Sequence, residues 1–281
     1  MRLVTVATRS EGYFPWFVES CKRHGMPLHV LGWGQKWQGF NMKLALMLEF
    51  LRSQEPDEIV CYTDAYDVLV LQGPEQLLEA YHKLSCRVGK PIIVGSDNAL
   101  YPAWTRIYQS TFFGKCEGQS LNAGTWIGPA GVLRDALERM EASFKANPGG
   151  DDQILLTKEC SLRPHLFHCD TQHELFLVVS NLFGSVDRAP HVSIEDSQVR
   201  YEGRLPCILH APGCTDMTHI LRQLGYRVSG RQVEDQKMYR KHYLIRAFKH
   251  HAAATALKLV LLLGACALVV WWLRRRPRSA H

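Results

Sequence analysis

Short runs of β-branched and aliphatic residues alternate with longer segments of helical periodicity over most of the chain. Few folds accommodate this alternation, because each strand needs a sheet partner and each amphipathic helix needs a sheet face to cover. The pattern predicts the α/β class, with a mixed sheet of Rossmann type flanked by helices. The expected strands are Leu3–Ala7, Leu28–Leu31, Glu58–Thr63, Val68–Leu71 and Pro91–Gly95, with later short strands near Phe167, Val192 and Ile208. The expected helices are Pro15–His24, Phe40–Arg52, Pro74–Leu84, Val132–Ala146 and Asp151–Lys158, and the Gly-containing stretch Asn122–Gly131 is assigned no element.

Much of the positive charge lies near the C-terminus. The formal net charge is +6 at pH 7, but the rest of the chain is nearly balanced. A basic cluster beside an apolar segment favours a membrane interface over a nucleic-acid surface, so no nucleic-acid partner is expected. The clustered basic residues are Lys237, Arg240, Lys241, Arg246, Lys249, Arg274, Arg275, Arg276 and Arg278.

An apolar segment from Ala252 to Leu273 precedes the last arginines. It is long enough to cross about 30 Å of hydrocarbon, and Lys258 could extend to the interface. The Trp271-Trp272 pair followed by arginines is typical of a membrane boundary rather than of a buried core helix, which is the alternative. We predict a folded domain at 1–230, a basic juxtamembrane linker at 231–251, a transmembrane helix at 252–273 and a basic tail at 274–281.

The cysteines exclude two common small-domain classes. The chain has nine cysteines and no C-x-x-C pair. A disulfide-rich scaffold or a zinc ribbon needs clustered cysteines at set spacings. Cys207 and Cys214 could pair, but a small free thiol is the favoured interpretation for each.

Asp64 and Asp67 directly follow the apolar strand that ends at Thr63. They therefore emerge at a carboxyl-terminal strand edge, where open α/β sheets bind ligands. Two carboxylates at such an edge can hold Mn²⁺ or Mg²⁺, which also bind the phosphates of a nucleotide. The alternative is a capped turn, in which aspartate hydrogen-bonds the backbone.

His168-Cys169-Asp170 has the form of the first half of an iron site with two histidines and one carboxylate. His210 or His219 could supply the second imidazole. The predicted α/β alternation argues against this hypothesis, since such iron sites usually lie in a double-stranded β-helix. The pair His250-His251 beside the apolar segment is interpreted as a solvated interface.

Several motifs occur in a fixed order along the chain: Val30 to Gly39, Tyr62 to Val68, Leu121 to Gly128, Asp151-Asp152-Gln153 and Leu209 to Gly213. Together they resemble the glycosyltransferase domain of the procollagen lysyl hydroxylases and the related collagen glycosyltransferases. The resemblance covers roughly residues 1–226 and implies a GT-A-like fold. It also implies Mn²⁺ or Mg²⁺ as cofactor, UDP-glucose or UDP-galactose as donor, and a hydroxyl-bearing protein or glycan as acceptor. In this family the acceptor is hydroxylysine or galactosyl-hydroxylysine of a collagen-like chain.

The resemblance also implies roles for individual residues. Asp64, Asp67 and His210 would be metal ligands. Tyr66 would pack near the uridine, Trp37 and Lys43 would shape the donor pocket, and Asn122 and Gly124 would approach the sugar. Asp151 and Asp152 match an acidic pair in the sugar and acceptor region and are the candidate catalytic residues.

The segment after His210 departs from the family pattern. The family often has a glycine and a lysine around this histidine, whereas here it is followed by Ala211-Pro212-Gly213. Ala123 and Thr125 also replace residues that are typically serine and glycine. A second hypothesis is therefore a membrane-tethered, catalytically impaired module that binds sugar nucleotides or glycans.

The expected membrane topology has two versions. The apolar run near Met1, which forms the first predicted strand, is too short to be the apolar region of a signal peptide. We therefore predict a single-pass protein with a C-terminal anchor and a cytosolic domain. The family resemblance implies the lumen of the endoplasmic reticulum instead, and this remains the alternative.

Overall fold

The structure is a computed structural model that describes residues 1–97, 113–146, 151–180, 184–213, 215–242 and 245. The chain forms two compact units, Met1–Gln236 and Lys237–His281. The elements below belong to the first unit.

The order of elements follows the predicted alternation. The strands are β1 (Arg2–Val6), β2 (Leu28–Leu31), β3 (Ile59–Thr63), β4 (Val68–Val70), β5 (Ile92–Ser96), β6 (Leu121–Pro129), β7 (Phe167–Asp170), β8 (Phe176–Val178), β9 (Val192–Glu195), β10 (Gln198–Tyr201) and β11 (Ile208–His210). The α-helices are α1 (Phe14–Arg23), α2 (Phe40–Arg52), α3 (Pro74–Val88), α4 (Ala130–Ala146), α5 (Asp152–Leu162) and α6 (Thr218–Gln223). Short 3-10 helices cover Pro164–Leu166 and Val186–Arg188.

The main sheet has the strand order β2-β1-β3-β6-β5-β7. β1 is parallel to β2 and β3, and β5 is parallel to β7. β6 lies between β3 and β5 and is antiparallel to both. The predicted mixed α/β sheet flanked by helices is therefore confirmed. One edge of the sheet collects the carboxyl ends of β1, β2, β3 and β5 together with the amino end of β6.

Helices cover both faces of this sheet because alternate strand residues point to opposite sides. Val4 and Tyr62 face a core shared with α2, α4 and α5. Their neighbours Leu3 and Cys61 face a second core shared with α1 and α3. The strands thus have apolar residues on both faces. Their sequences are therefore nearly continuous apolar runs.

A separate three-stranded sheet has the strand order β4-β11-β8. β11 is parallel to β8 and antiparallel to β4, with His210 opposite Val68. β4 begins immediately after Asp67, so this small sheet brings the end of β11 to the segment that follows β3. The hairpin β9–β10 packs with α6 in a third apolar cluster.

The main difference from the sequence expectations is β6. The stretch Asn122–Gly131, assigned no element, forms strand β6 and the beginning of α4. β8, β10 and α6 were also not expected. Elsewhere the bounds agree closely, although α3 continues beyond the predicted Leu84 to Val88 and α5 beyond the predicted Lys158 to Leu162.

The predicted C-terminal segments are described only in part. Residues 230–242 are helical, at the start of the predicted linker at 231–251. The predicted span at 252–273 and tail at 274–281 lie outside the described residues, as do His250 and His251. Within the ranges that the structure describes, no helix has the length and apolar character needed to cross a membrane.

The structure contains a disulfide that the sequence did not reveal. Cys116 and Cys160 are bonded across a sequence separation of 44. The bond joins the segment before β6 to the C-terminal part of α5. No spacing motif marks this pair, because the fold brings the two residues together. Cys207 is a buried free thiol, as favoured, whereas Cys214 lies outside the described residues.

Candidate metal centre

Asp64, Asp67 and His210 converge at the carboxyl edge of the main sheet. One ligand atom from each lies within 4.8 Å of the others. Nε2 of His210 is 3.3 Å from Oδ1 of Asp67 and 3.7 Å from Oδ2 of Asp64. Two carboxylates and an imidazole at these separations form a ligand set suited to Mn²⁺.

Backbone hydrogen bonds hold the histidine beside the aspartates. The amide of Ala211 donates to the carbonyl of Asp67 (2.8 Å), and the amide of Val179 donates to the carbonyl of His210 (2.8 Å). His210 is therefore placed by β4 on one side of β11 and by β8 on the other. Residues far apart in the sequence meet because the small sheet joins them.

His210 supports a metal centre through its burial. Its side chain is fully buried, and neither ring nitrogen has a hydrogen-bond partner among the described residues. Buried polar atoms normally have partners, so an imidazole left unsatisfied beside two carboxylates fits a metal ligand. Burial alone would lower the pKa of His210, but Asp67 and Asp64 outweigh that effect and raise it.

Gly124 lets these side chains approach each other. A Cβ atom at this position would lie 2.3 Å from Cε1 of His210 and 2.6 Å from Oδ2 of Asp64. The carbonyl of Gly124 accepts a hydrogen bond from the amide of Asp64 (2.8 Å). Its own amide donates to Oδ1 of Asn122 (2.9 Å). Only glycine fits here without displacing the ligands.

Lys43 lies beside the metal centre, between the carboxylates of Asp64 and Asp152. Its Nζ donates to Oδ1 of Asp64 at 2.7 Å and to Oδ2 of Asp152 at 2.5 Å. The hydroxyl of Tyr62 donates to the same Asp64 oxygen at 2.9 Å. Burial alone would raise the pKa of Asp64, but Lys43 and His210 outweigh it and lower the pKa. The lowered pKa favours the ionised form of Asp64 beside the buried ammonium of Lys43.

The two candidate catalytic residues, Asp151 and Asp152, lie in different environments. Asp151 is the N-cap of α5, and its side chain accepts from the amide of Gln153 (2.8 Å). Asp152 is buried and pairs with Lys43. Gln153, which was not singled out, accepts from the amide of Ala123 (2.7 Å) and donates to the carbonyl of Leu121. The start of α5 is thus attached to the start of β6.

Aromatic residues follow the same strand ends. Tyr66 accepts a hydrogen bond at its hydroxyl from the amide of Thr8 (3.1 Å) and packs near Phe14. Trp37 is 42% exposed and meets Phe40 edge-on. Trp33, overlooked in the sequence, is stacked on Phe14 with ring centroids 5.3 Å apart.

Asp97 is a further site residue that the sequence did not identify. It follows β5 at the same edge and is buried. Its carboxylate accepts from Nδ2 of Asn122 (3.4 Å) and from the hydroxyl of Ser180 (3.2 Å). Its position after a buried strand is the same signal that identified Asp64, so that rule could have found it.

The hypothetical iron site is not assembled. Asp170 accepts hydrogen bonds from the amides of Glu174, Leu175 and Phe176 and so closes the turn after β7. His219 lies instead 3.5 Å from a carboxylate oxygen of Asp187. Among the described residues, Asp64, Asp67 and His210 form the group with metal-ligand spacing.

Curated relatives come from the lysyl hydroxylases. Human procollagen-lysine,2-oxoglutarate 5-dioxygenase 2 is 28% identical over 168 residues, covering 56% of this chain and 21% of that protein. The rat multifunctional procollagen lysine hydroxylase and glycosyltransferase LH3 is 26% identical over 245 residues, covering 80% of this chain and 30% of that protein. The chain therefore spans less than a third of the length of these two relatives.

Solved structures with a similar chain trace include two glycosyltransferases. One is involved in glycosylation of the major capsid of PBCV-1, with a TM-score of 0.46 at 11% identity over 80% of this chain and 98% of that chain. The other is mouse xyloside xylosyltransferase 1, with a TM-score of 0.38 at 16% identity over 63% of this chain and 65% of that chain.

The family comparison spans the entire candidate site. Residues 1–247 match the family described as PLOD GT domain, where GT denotes glycosyltransferase. The matched range contains every residue gathered at the metal centre. The chain therefore belongs to the PLOD glycosyltransferase domain family.

Proposed function

We propose that the chain is a metal-dependent GT-A-type glycosyltransferase that moves glucose or galactose from a UDP-sugar to a hydroxyl group. The observation that carries this proposal is the convergence of Asp64, Asp67 and His210 beside Gly124. It occurs at the sheet edge where α/β folds bind nucleotides, in a chain of a glycosyltransferase family.

Asp64, Asp67 and His210 would hold Mn²⁺ or Mg²⁺. Bound there, the ion would supply a positive charge that stabilises the diphosphate leaving group. Tyr66 would pack near the uridine, Trp37 would shape the donor pocket, and Asn122 and Gly124 would border the sugar. Asp151 and Asp152 remain the candidate residues on the sugar and acceptor side.

The proposed acceptor is a hydroxyl of hydroxylysine or galactosyl-hydroxylysine in a collagen-like protein. The names of the relatives support this choice, since they are procollagen lysine hydroxylases and one is also a glycosyltransferase. These relatives are much longer than this chain, so the acceptor is part of the proposal.

We further propose that residues 252–273 anchor the protein in a membrane. The disulfide between Cys116 and Cys160 supports the lumenal alternative over the cytosolic one, because disulfides persist in oxidising compartments such as the endoplasmic reticulum. A secretory acceptor such as a collagen-like chain would be found on the same side.

The second candidate function is a sugar-nucleotide or glycan-binding module that lacks turnover. It is favoured by the segment Ala211-Pro212-Gly213, where the family pattern has a lysine that could neutralise the diphosphate. Such a module would keep the metal centre and bind UDP but release no product.

Donor turnover separates the two candidates. The full chain in detergent is incubated with UDP-glucose or UDP-galactose and Mn²⁺, with and without a galactosyl-hydroxylysine peptide, and UDP release is measured. We expect UDP release that depends on Mn²⁺ and increases with the peptide. Tight Mn²⁺-dependent UDP binding without UDP release from either donor would instead establish the binding module.

A further inference from the structure

Lys43 is a buried charged residue at the candidate site, and the hydrogen bonds of its ammonium go to carboxylates of the protein itself. Its side chain is 8% exposed, and the partner carboxylate of Asp152 is 10% exposed. The partners Asp152 and Asp64 are 109 and 21 residues away in the sequence. The ammonium therefore lies at a junction of α2, the end of β3 and the start of α5.

These contacts use most of the hydrogen-bond donors of the ammonium, so few remain for a ligand. An ammonium has three hydrogen-bond donors, and two of them go to carboxylates at 2.5 and 2.7 Å. The ring of Tyr62 lies 5.0 Å from Nζ, within cation–π range. A lysine that is satisfied in this way is poorly placed to bind the diphosphate of a donor.

The surroundings hold Lys43 and Asp152 in this arrangement. Gln153 attaches the start of α5 to the backbone of β6, and Cys160 attaches its C-terminal part to Cys116. A cavity of only about 10 Å³ adjoins the ion pair and is lined mainly by apolar side chains, among them Met47 and Trp126. The pair therefore has little room to rearrange.

We propose that Lys43 is a positioning residue that holds Asp152 at a set distance from the metal-binding carboxylate Asp64, and that it does not bind the donor phosphates. This inference rests on the proposed function of the metal centre. It assigns to Lys43 the role of coupling α5 to that centre, so that Asp152 and the ligands keep one geometry.

The test compares donor binding with turnover in Lys43→Met, Asp152→Asn and the double variant of the full chain in detergent. Calorimetry gives the UDP affinity in the presence of Mn²⁺, and UDP release from the donor gives kcat. Lys22→Met, an exposed lysine on α1, is the matched control and should match the parent in both measurements.

A positioning role predicts UDP affinity within about threefold of the parent for Lys43→Met, since no direct charge-assisted contact is lost. It also predicts a kcat about 10- to 100-fold lower, as for residues that orient metal ligands. Asp152→Asn should lose a similar factor, and the double variant should lose no more than the worse single variant. UDP affinity about 10-fold weaker with kcat retained would overturn the proposal, because it would show a phosphate contact.

Two further measurements keep the inference separate from the proposed function. If the parent protein shows no turnover, the proposed function fails. The inference is then tested by comparing the UDP affinity and the melting temperature of the variants with those of the parent. Non-additive melting shifts for the two substitutions support coupling of Lys43 and Asp152, and additive shifts overturn it. If Lys43→Met does not fold, Lys43→Gln, which keeps a hydrogen-bond donor, takes its place in each comparison.

Discussion

His210 distinguishes a metal centre from an ordinary capped turn. In a capped turn the carboxylates of Asp64 and Asp67 would bind nearby amides. Here Asp64 instead binds Lys43 and Tyr62, and both aspartates face a fully buried imidazole. A buried imidazole without a hydrogen-bond partner is costly unless something else satisfies it, and a metal ion would do so.

Replacing Asp67 with alanine tests this centre with little damage to its surroundings. Asp64 also accepts from Lys43 and Tyr62, whereas Asp67 is outside that network. We expect Mn²⁺-stimulated turnover of the donor to fall about 100-fold or more, since loss of even an outer ligand partner can cost that much. The melting temperature without metal should stay near that of the parent. Asp135→Ala, an exposed aspartate on α4, is the control, and full activity of Asp67→Ala would remove Asp67 from the ligand set.

Gly124→Ala tests the close approach at the same centre. The added Cβ would collide with His210 and Asp64 at 2.3 and 2.6 Å. We expect a loss of about 1 to 3 kcal/mol in the free energy of unfolding, as for other overpacked sites, together with weaker Mn²⁺ binding by calorimetry.

Gly230→Ala is the matched control for this substitution, because a Cβ at position 230 meets no atom within 4 Å. Equal Mn²⁺ affinity in Gly124→Ala and Gly230→Ala would show that Gly124 does not shape the ligand set.

Helix α5 is attached near both of its ends to partners that are distant in the sequence. Gln153 attaches its start to β6, and the disulfide attaches Cys160 to Cys116. Asp152, at the start of the same helix, pairs with Lys43. The helix therefore carries both the disulfide-bonded Cys160 and the carboxylate that pairs with Lys43.

Removing the disulfide should destabilise the protein. For a sequence separation of 44, the loop-entropy relation gives roughly 4 kcal/mol of lost stability. Denaturant unfolding of Cys116→Ala/Cys160→Ala measures this loss, and Cys86→Ser, an exposed free cysteine, is the control. Peptide mapping without reductant should recover the linked peptides. Alkylation of both thiols in the folded, unreduced protein would contradict the bond.

Strand β6 shows why sequence reading failed for one central element. Its residues Leu121 to Gly128 are all buried, with polar and small residues such as Asn122 and Gly124 among them. A strand buried on both faces has no alternation of polar and apolar residues. The stretch was therefore assigned no element, although Asn122 and Gly124 are the strand residues that lie at the metal centre.

Most other elements were predicted because their periodicity is local. Helix α2 and strand β2 were predicted with the observed bounds. At the site, Asp64 and Asp67 could be found from a strand end alone. His210 needed the family resemblance, and the contact of Lys43 with Asp152 needed the fold, because no local pattern links residues 109 positions apart.

The membrane topology can be tested on the full chain in intact membranes. Because the disulfide supports a lumenal domain, we expect the domain to survive external protease until detergent is added. A cytosolic marker protein should be digested in the same sample. Digestion of the domain before detergent is added would support the cytosolic alternative instead.

The protein should depend on a divalent ion for its proposed activity. The most direct measurement is UDP release by the full chain from UDP-glucose and UDP-galactose, first after EDTA treatment and then after Mn²⁺ is added back. The ligand set of Asp64, Asp67 and His210 predicts no release after EDTA and recovery with Mn²⁺ in the parent, but no recovery in His210→Ala. Equal release with and without Mn²⁺, or full recovery in His210→Ala, would contradict a metal-dependent glycosyltransferase built on these residues.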